Sequence, residues 1–493
     1  MSDYFMALEN RNNGKRTAIF FPVIKGTAVR DTVKRGVLHL LARKLEKAGK
    51  RPFFVFLILE KKIIFKEEVR GLDHSFVQIP NIPWNNQPSH FFFRRLRNFL
   101  FASINHVDTY RIFMREQREK HLFAYMLHKS IDLLSTPWPF SLLFKLFMRF
   151  TEWCELFLTK PIDKWYARLY DKYKPSLLLL HSYQDINLIP LERVAKRKGI
   201  PFLSSVMSWD NLTSNGEIPI RPDKLMVWSE LMKGEAIKYH YFRKEDLSIT
   251  GPLQFDYHKI LDKSGKILPK KEFFRRNHLD PSKKVLTYTT ASPLLFPEEP
   301  QFVDYLHKLV RKHFPRLQIF VRIYAKDKDR GRERYRFLEG RPGLVLDYSC
   351  ISSRLMTDLM PFDDEFLAHL SATMKHSDIV MNFISTIDLD AFVFDKPTIN
   401  VSFEGALKKP FLKSVRRFQD YSHSQYIFRS GGARFVDSEK KLLKALGDYL
   451  KDPALDREKR AKALRMICGE IDTKANERIA GFVAEQVLGS PGY

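Results

Sequence analysis

SDIVMNFISTIDLDAFVFDKPTINVSF, residues 377–403, decides the fold. An apolar run ends at Asn382 and Phe383, and Ser385 and Thr386 follow it. Next come a short helical pattern, a Lys396-Pro397 turn and a second apolar run. Strand, small-residue loop, helix and strand at this spacing form a βαβ unit, which brings its two strands together in parallel.

The same rhythm extends outward. Towards the C-terminus ARFVDS reads as one more strand before long helical runs. Towards the N-terminus KVLTYTTAS, beginning at Lys284, opens a series that continues through a helix (FVDYLHKLVRKH), LQIFVRIY and GLVLDYS. An earlier series comprises TAIFFPV, PFFVFLILE, HSFVQIP, SLLLLHS, PFLSSVM, KLMVWS and LSITG, with helical stretches such as LERVAKRKG between strands. Two successive alternating series predict an α/β protein of two doubly wound, Rossmann-like domains. The first is expected over residues 1–255 and the second over 256–493, joined between Gly251 and Asp262. Residues 91–170 carry almost no strand signal and read as a helical insertion in the first domain.

At 493 residues the chain is too long for one core. Lys and Arg number 83 against 57 Asp and Glu, a formal charge of +26, which favours polyanionic partners. No RNP, zinc-finger or helix-turn-helix pattern accompanies that charge, so nucleic acid is not an expected partner. The three cysteines, Cys154, Cys350 and Cys468, are far apart and argue for a reducing compartment. The polar start and the lack of a spanning apolar run predict a cytoplasmic protein. FSLLFKLFMRF, within the insertion, reads in two ways. It is a helix buried on all sides, or a basic-aromatic helix lying on an anionic membrane surface.

Ligands of open α/β sheets bind beyond the carboxyl ends of the strands. In the second half these ends carry Thr289, Thr290 and Ser292; Arg322 and Lys326; Ser385 and Thr386; and Ser402 and Glu404. Ser385 is expected to cap the following helix, with Asp388 completing a capping box. The exposed N–H groups there, with two hydroxyls, would suit a phosphate. Asp388 and Asp390 imitate a DxD metal motif, but residues two apart on a helix do not share a face, so no metal is expected. Asp390 is placed to accept hydrogen bonds from ribose hydroxyls.

This constellation resembles the donor-binding segment of nucleotide-sugar glycosyltransferases of the GT-B fold. Ser385 and Thr386 match the family's loop, Asp390 its helix acid, and Lys396-Pro397 its turn. Asp stands where Glu is commoner, and Asp395 replaces the turn glycine. VWSELMKGEAIKYHYFRKEDLSITGPLQFDYH is similar to the family's interdomain passage, and GGARFVDSEKKLLKALGDYLKDP to its closing strand and helix. SWDNLT and the Ser-Thr loop look most like bacterial surface-polysaccharide enzymes, and distantly like CDP-glycerol transferases and UDP-GlcNAc 2-epimerases.

The resemblance implies transfer of a sugar from a nucleotide-sugar donor to a glycan or lipid-linked acceptor, without a cofactor or a bound metal. SWDNLTSNG, residues 208–216, then faces the second domain. Asp210 would take the acceptor proton, Trp209 would stack on a sugar, and Asn211 and Thr213 would bind hydroxyls. A turn with a core Trp is the other reading of the same stretch. HSYQD, residues 181–185, supplies His181 as the competing base and Asp185 as a further acceptor contact. Arg322, Lys326 and the helix after Thr386 would stabilise the leaving phosphate, with Lys408, Lys409, Lys413, Arg416 and Arg417 closing over it or forming a solvated loop. Three alternatives stand beside this reading: a sugar-nucleotide epimerase of the same fold, a basic nucleic-acid- or membrane-binding protein without catalysis, and an inactive scaffold.

Overall fold

The computed structural model describes residues 16–59, 65–81, 88–116, 138–157, 161–324, 327, 331–349, 364–383 and 385–489, with isolated positions 126, 129, 130 and 133. Among the described residues thirteen strands build two sheets. The first holds β1 (Arg16–Val23), β2 (Arg51–Ile58), β3 (His74–Gln78), β4 (Leu177–Leu180), β5 (Phe202–Ser205), β6 (Lys224–Val227) and β7 (Leu247–Ile249). Its order is β3-β2-β1-β4-β5-β6-β7. The second holds β8 (Lys284–Thr289), β9 (Leu317–Arg322), β10 (Leu344–Asp347), β11 (Ile379–Asn382), β12 (Thr398–Val401) and β13 (Arg434–Val436), ordered β10-β9-β8-β11-β12-β13. Every pairing is parallel. These are the two doubly wound sheets that the alternating pattern predicts.

Strands such as β1, β2 and β4 are apolar because both faces of the sheet are covered there. Along β1, Ile19, Phe21 and Val23 point to one side and pack on helix α1 (Val37–Lys47). Phe20 points to the other side, against Tyr166 and Tyr170 of a helix over Pro161–Tyr173. The period of two sorts one apolar run into two cores.

Among the described residues four helices occupy the expected insertion: α2 (Pro88–Ile104), α3 (Asp108–Glu116), α4 (Trp138–Phe157) and α5 (Pro161–Tyr173). Buried ion pairs tie them to the first lobe. Arg97 pairs with Glu155 and Glu217, while Asp163 pairs with Arg193 and Arg197. Helix α3 leaves that lobe: Ile112 enters the core of the second sheet, and Phe113 packs on Tyr421 with ring centroids 5.4 Å apart. Helix α4 corrects the expectation of a helix buried on all sides. Met148, Thr151 and Glu155 are buried, but Leu146, Phe150, Trp153 and Phe157 on the opposite side are exposed. Among the described residues no helix is long and apolar enough to cross a membrane.

The chain crosses between lobes twice more. After β7 it runs through Gly251 into α6 (Leu253–Lys263), and after a helix over Arg457–Cys468 it returns through Gly469 into α7 (Ala475–Leu488). Helix α7 packs on α1 in the core of the first sheet. The Asp256 carboxylate on α6 accepts the Thr473 and Ala475 N–H groups, both at 3.1 Å, and so caps α7. Both crossing glycines have positive φ, +79° and +71°. A Cβ on Gly469 would lie 2.8 Å from the Trp228 carbonyl oxygen, so only glycine fits there without a shift.

Candidate functional site

Each sheet reverses direction once, and a crevice opens where strands on either side of the reversal lead their loops to opposite faces. In the first sheet the reversal lies between β1 and β4, and in the second between β8 and β11.

The loop after β1 carries a π-turn, Val29–Val33, which places Arg30, Asp31 and Thr32 at the first crevice. Arg30 binds the Asp31 carboxylate through two nitrogens. His181 leaves the end of β4 and meets the same turn: its Nδ1 is 3.2 Å from the Thr32 hydroxyl. Its Nε2 lies 3.8 Å from Asp31 and makes no hydrogen bond among the described residues. Burial pushes the His181 pKa down to about 4, against the pull of Asp31, so the ring is neutral at pH 7. Lys25 stands 3.7 Å from Asp185. The Asp185 side chain is spent locally, accepting from the backbone and side-chain nitrogens of Asn187 at 3.0 and 2.9 Å. A cavity of about 20 Å³ between Asp31, His181, Met207, Trp228 and Ile479 has room for about one water.

The second crevice joins Thr289, Thr290 and Ser292 after β8 to Ser385 and Thr386 after β11. The Thr289 hydroxyl is buried without a partner among the described residues, while that of Thr290 accepts the Tyr324 N–H at 2.8 Å. The loop is held from beneath by Glu299, whose carboxyl takes hydrogen bonds from Tyr288 (2.7 Å) and the Ala291 N–H (3.0 Å). Burial pushes the Glu299 pKa up to about 8. Ser385 is exposed and Thr386 half-buried. Thr386, not Ser385, precedes the helix over Ile387–Val393, and its side chain makes no capping bond. The Ser385 hydroxyl accepts weakly from the Ile387 N–H at 3.4 Å.

The acids of that helix turn inward. Asp388, read from sequence as a capping-box partner, is fully buried and bound by Asn382 and Asn400 at 2.6 and 3.1 Å. Burial pushes its pKa up to about 7. Asp390, expected to meet a ribose, instead accepts from His258 Nε2 at 2.6 Å and lies 3.4 Å from the Tyr257 hydroxyl. Arg322 is likewise committed: it binds Asp347 at 3.0 Å and His369 at 2.9 Å and is 5 % exposed. Its charge is balanced inside the lobe. Lys326 lies outside the described residues. Among the described residues, no group of three or more His, Cys, Asp or Glu side chains gathers to hold a metal.

Between the crevices the lobes touch through SWDNLTSNG. Asp210 starts a one-turn helix over Asn211–Ser214 and accepts the hydroxyls of Ser208 and Ser214 at 2.5 and 2.6 Å. Asn211 accepts the Ser208 N–H at 2.8 Å, and Thr213 donates to the Asp210 carbonyl at 3.1 Å. Both are buried, so they brace the turn. The expected turn and the expected core Trp are both present. Trp209 is 4 % exposed and meets His423 of the second lobe edge-to-face at 5.2 Å, so it offers no open face for stacking. Burial lowers the His423 pKa, opposed by the charge of Asp210. Its Nδ1 has no partner among the described residues. Glu235 reaches across to the Tyr426 hydroxyl at 2.7 Å, and burial pushes its pKa up to about 7.

Sequence reasoning missed Arg30, Asp31, Glu235, His258 and His423. The strand-end rule, applied to β1 as it was to the second half, reaches Arg30 and Asp31. His423 and Glu235 lie on helices or loops whose only meeting point is the lobe interface, so no local pattern marks them.

No family model and no curated protein matches the chain. Solved structures do. The UDP-GlcNAc 2-epimerase from Neisseria meningitidis bound to UDP-GlcNAc aligns with a TM-score of 0.51 at 12% identity, covering 95% of this chain and 99% of that one. The UDP-GlcNAc 2-epimerase from Methanocaldococcus jannaschii gives 0.52 at 12%, covering 95% and 99%. A glycosyltransferase from Rickettsia africae gives 0.50 at 10%, covering 97% and 100%. This likeness spans both lobes, and with the two parallel sheets it establishes an α/β protein of two Rossmann-like domains arranged as in GT-B enzymes.

Proposed function

We propose that the chain is a glycosyltransferase that moves a sugar from a nucleotide-sugar donor to a glycan or lipid-linked acceptor in surface-polymer synthesis. The single observation that carries this reading is the contact of Trp209 and Asp210 with His423. It sets the carboxyl edge of the first sheet against the second lobe, with an ionisable residue on each side.

In this reading Asp210 takes the proton of the acceptor hydroxyl. Its two hydroxyl partners leave further lone pairs on a carboxylate that has about four acceptor positions. The unpartnered Thr289 hydroxyl, Ser385 and Thr386 bind the donor around the second crevice. The leaving phosphate requires positive charge that Arg322 does not have to spare. The basic loop after Glu404 is the better source. Arg417 already reaches over the loop after β8, donating to the Leu295 carbonyl at 3.2 Å, and Lys409 pairs with Glu298. Asp390 acts on donor binding through His258 and Tyr257 and not by contact with a ribose.

A sugar-nucleotide epimerase is the second reading, favoured by the number of structural neighbours that bear that name. Incubation with UDP-GlcNAc alone, followed by sugar analysis, separates the two. Epimerised sugar without an acceptor supports the second reading. Release of free nucleotide only when a glycan or lipid-linked acceptor is added supports the first.

A further inference from the structure

The exposed side of α4 is not accounted for by the site. Leu142, Leu146, Phe150, Trp153 and Phe157 recur at intervals of four, four, three and four residues, and Phe147 flanks them; all six are 43–59 % exposed. That spacing aligns them as one stripe along the helix. Half-exposed side chains of this size present on the order of 500 Å² of apolar surface together, the size of the largest patch on an ordinary monomer, which is often functional. A stable dimer buries about 800 Å² on each partner, more than a single helix stripe supplies.

The border of the stripe is basic. Lys145 and Arg149 lie one turn apart, 5.4 and 5.3 Å from the Tyr241 ring. Arg149 and Leu156 of the same helix line a cavity of about 590 Å³. With Lys196, Arg221, Lys224 and Arg243 its wall holds five cations, ion-paired with three carboxylates, Glu152, Asp223 and Asp246, which leaves the cavity positive. Aliphatic and aromatic residues at the depth of acyl chains, with cations at the height of headgroups, is the arrangement of a helix that lies in a membrane interface. A chain carrying +26 overall adds long-range attraction to an anionic surface.

We infer that α4 docks the protein on an anionic bilayer, its Leu142-to-Phe157 stripe among the acyl chains and the neighbouring basic cavity against phosphate headgroups. The docking is independent of whether the enzyme is a transferase or an epimerase.

Flotation of the full chain with phosphatidylglycerol–phosphatidylcholine vesicles tests this, beside pure phosphatidylcholine vesicles and at low and 0.5 M salt. The wild type is expected to float with the anionic vesicles, at least tenfold more weakly with neutral ones, and to be released in part by salt. Leu146→Glu/Phe150→Glu changes only exposed positions and is expected to keep the wild-type melting temperature while losing at least tenfold in vesicle binding. Arg221→Gln/Arg243→Gln is expected to lower binding to anionic vesicles and not to neutral ones. Wild-type protein that stays unbound overturns the inference, and so does a folded Leu146→Glu/Phe150→Glu variant that floats undiminished. A dimer in sedimentation that this variant splits, without vesicle binding, assigns the stripe to a second copy and also overturns it.

Discussion

At the scale of single residues the account rests on Asp210. Its carboxylate is held by Ser208 and Ser214, and its own backbone carbonyl by Thr213, so the turn survives loss of the charge. Asp210→Asn is expected to fold, to bind nucleotide with unchanged affinity and to lose roughly 10²–10⁴-fold in transfer rate. Full activity in that variant moves the base to His181. Glu299 makes a different prediction, about pH. Its pKa is about 8 in the fold and near 4.5 once unfolded, so the native state holds a proton that the unfolded chain releases. Its contribution is present below pH 4.5 and is lost as pH rises towards 8, by at most about 1.4 kcal/mol per pH unit. His181 has the opposite sign: its neutral burial costs stability as pH falls from 6.5 to about 4. Denaturant unfolding between pH 5.5 and 8 should therefore show stability falling in the wild type and falling less in Glu299→Gln. Equal slopes would remove Glu299 as the cause. Residues such as Asp390 and Arg322 show why sequence alone misplaced roles here. Arg322 ends a strand and Asp390 sits in the helix after one, but Asp347 and His258, distant in sequence, engage them inside the lobe.

At the scale of elements, the crossings between lobes are the parts most exposed to single changes. Asp256 satisfies two N–H groups at the start of α7, a position where loss of a capping side chain costs about 0.5–2 kcal/mol. Asp256→Ala should lower the unfolding free energy by that amount, and limited proteolysis should cut first near residues 470–475. Gly469→Ala combines a left-handed backbone with a Cβ pressed on the Trp228 carbonyl, and it should cost roughly 1–3 kcal/mol. A variant as stable as the wild type would mean that the crossing is looser than the geometry indicates. The strands themselves were legible. LLLL of β4 is uniformly apolar, and LQIFVR of β9 is buried throughout although it carries Gln318 and Arg322, and runs of this kind need no tertiary knowledge to be read as strands. The return of α7 to the first sheet was not legible, since a helix at the C-terminus carries no mark of which core it joins. The exposed half of α4 was hidden for a related reason. Its composition is apolar on nearly every side, and tertiary contacts, the pairing of Arg97 with Glu155 and the packing of Met148 on Leu100 and Phe101, fix which side turns in.

At the scale of the whole molecule, two sheets present their reversal points toward one interface. The helix that follows β11 shares a hydrophobic cluster with Trp209 and Leu212 of the first lobe. The cavity between Asp31 and His181 has room for about one water, too little for a nucleotide sugar. The two glycine crossings and α3 are the connections between the lobes. Hydrogen–deuterium exchange tests the central claim most directly, measured with and without saturating UDP-, CDP-, GDP- and dTDP-sugars. The account predicts that one of these donors slows exchange in residues 206–214 of the first lobe and in residues 385–392 of the second together. Protection of neither segment by any donor, or of one lobe alone, would contradict a site shared between the facing edges.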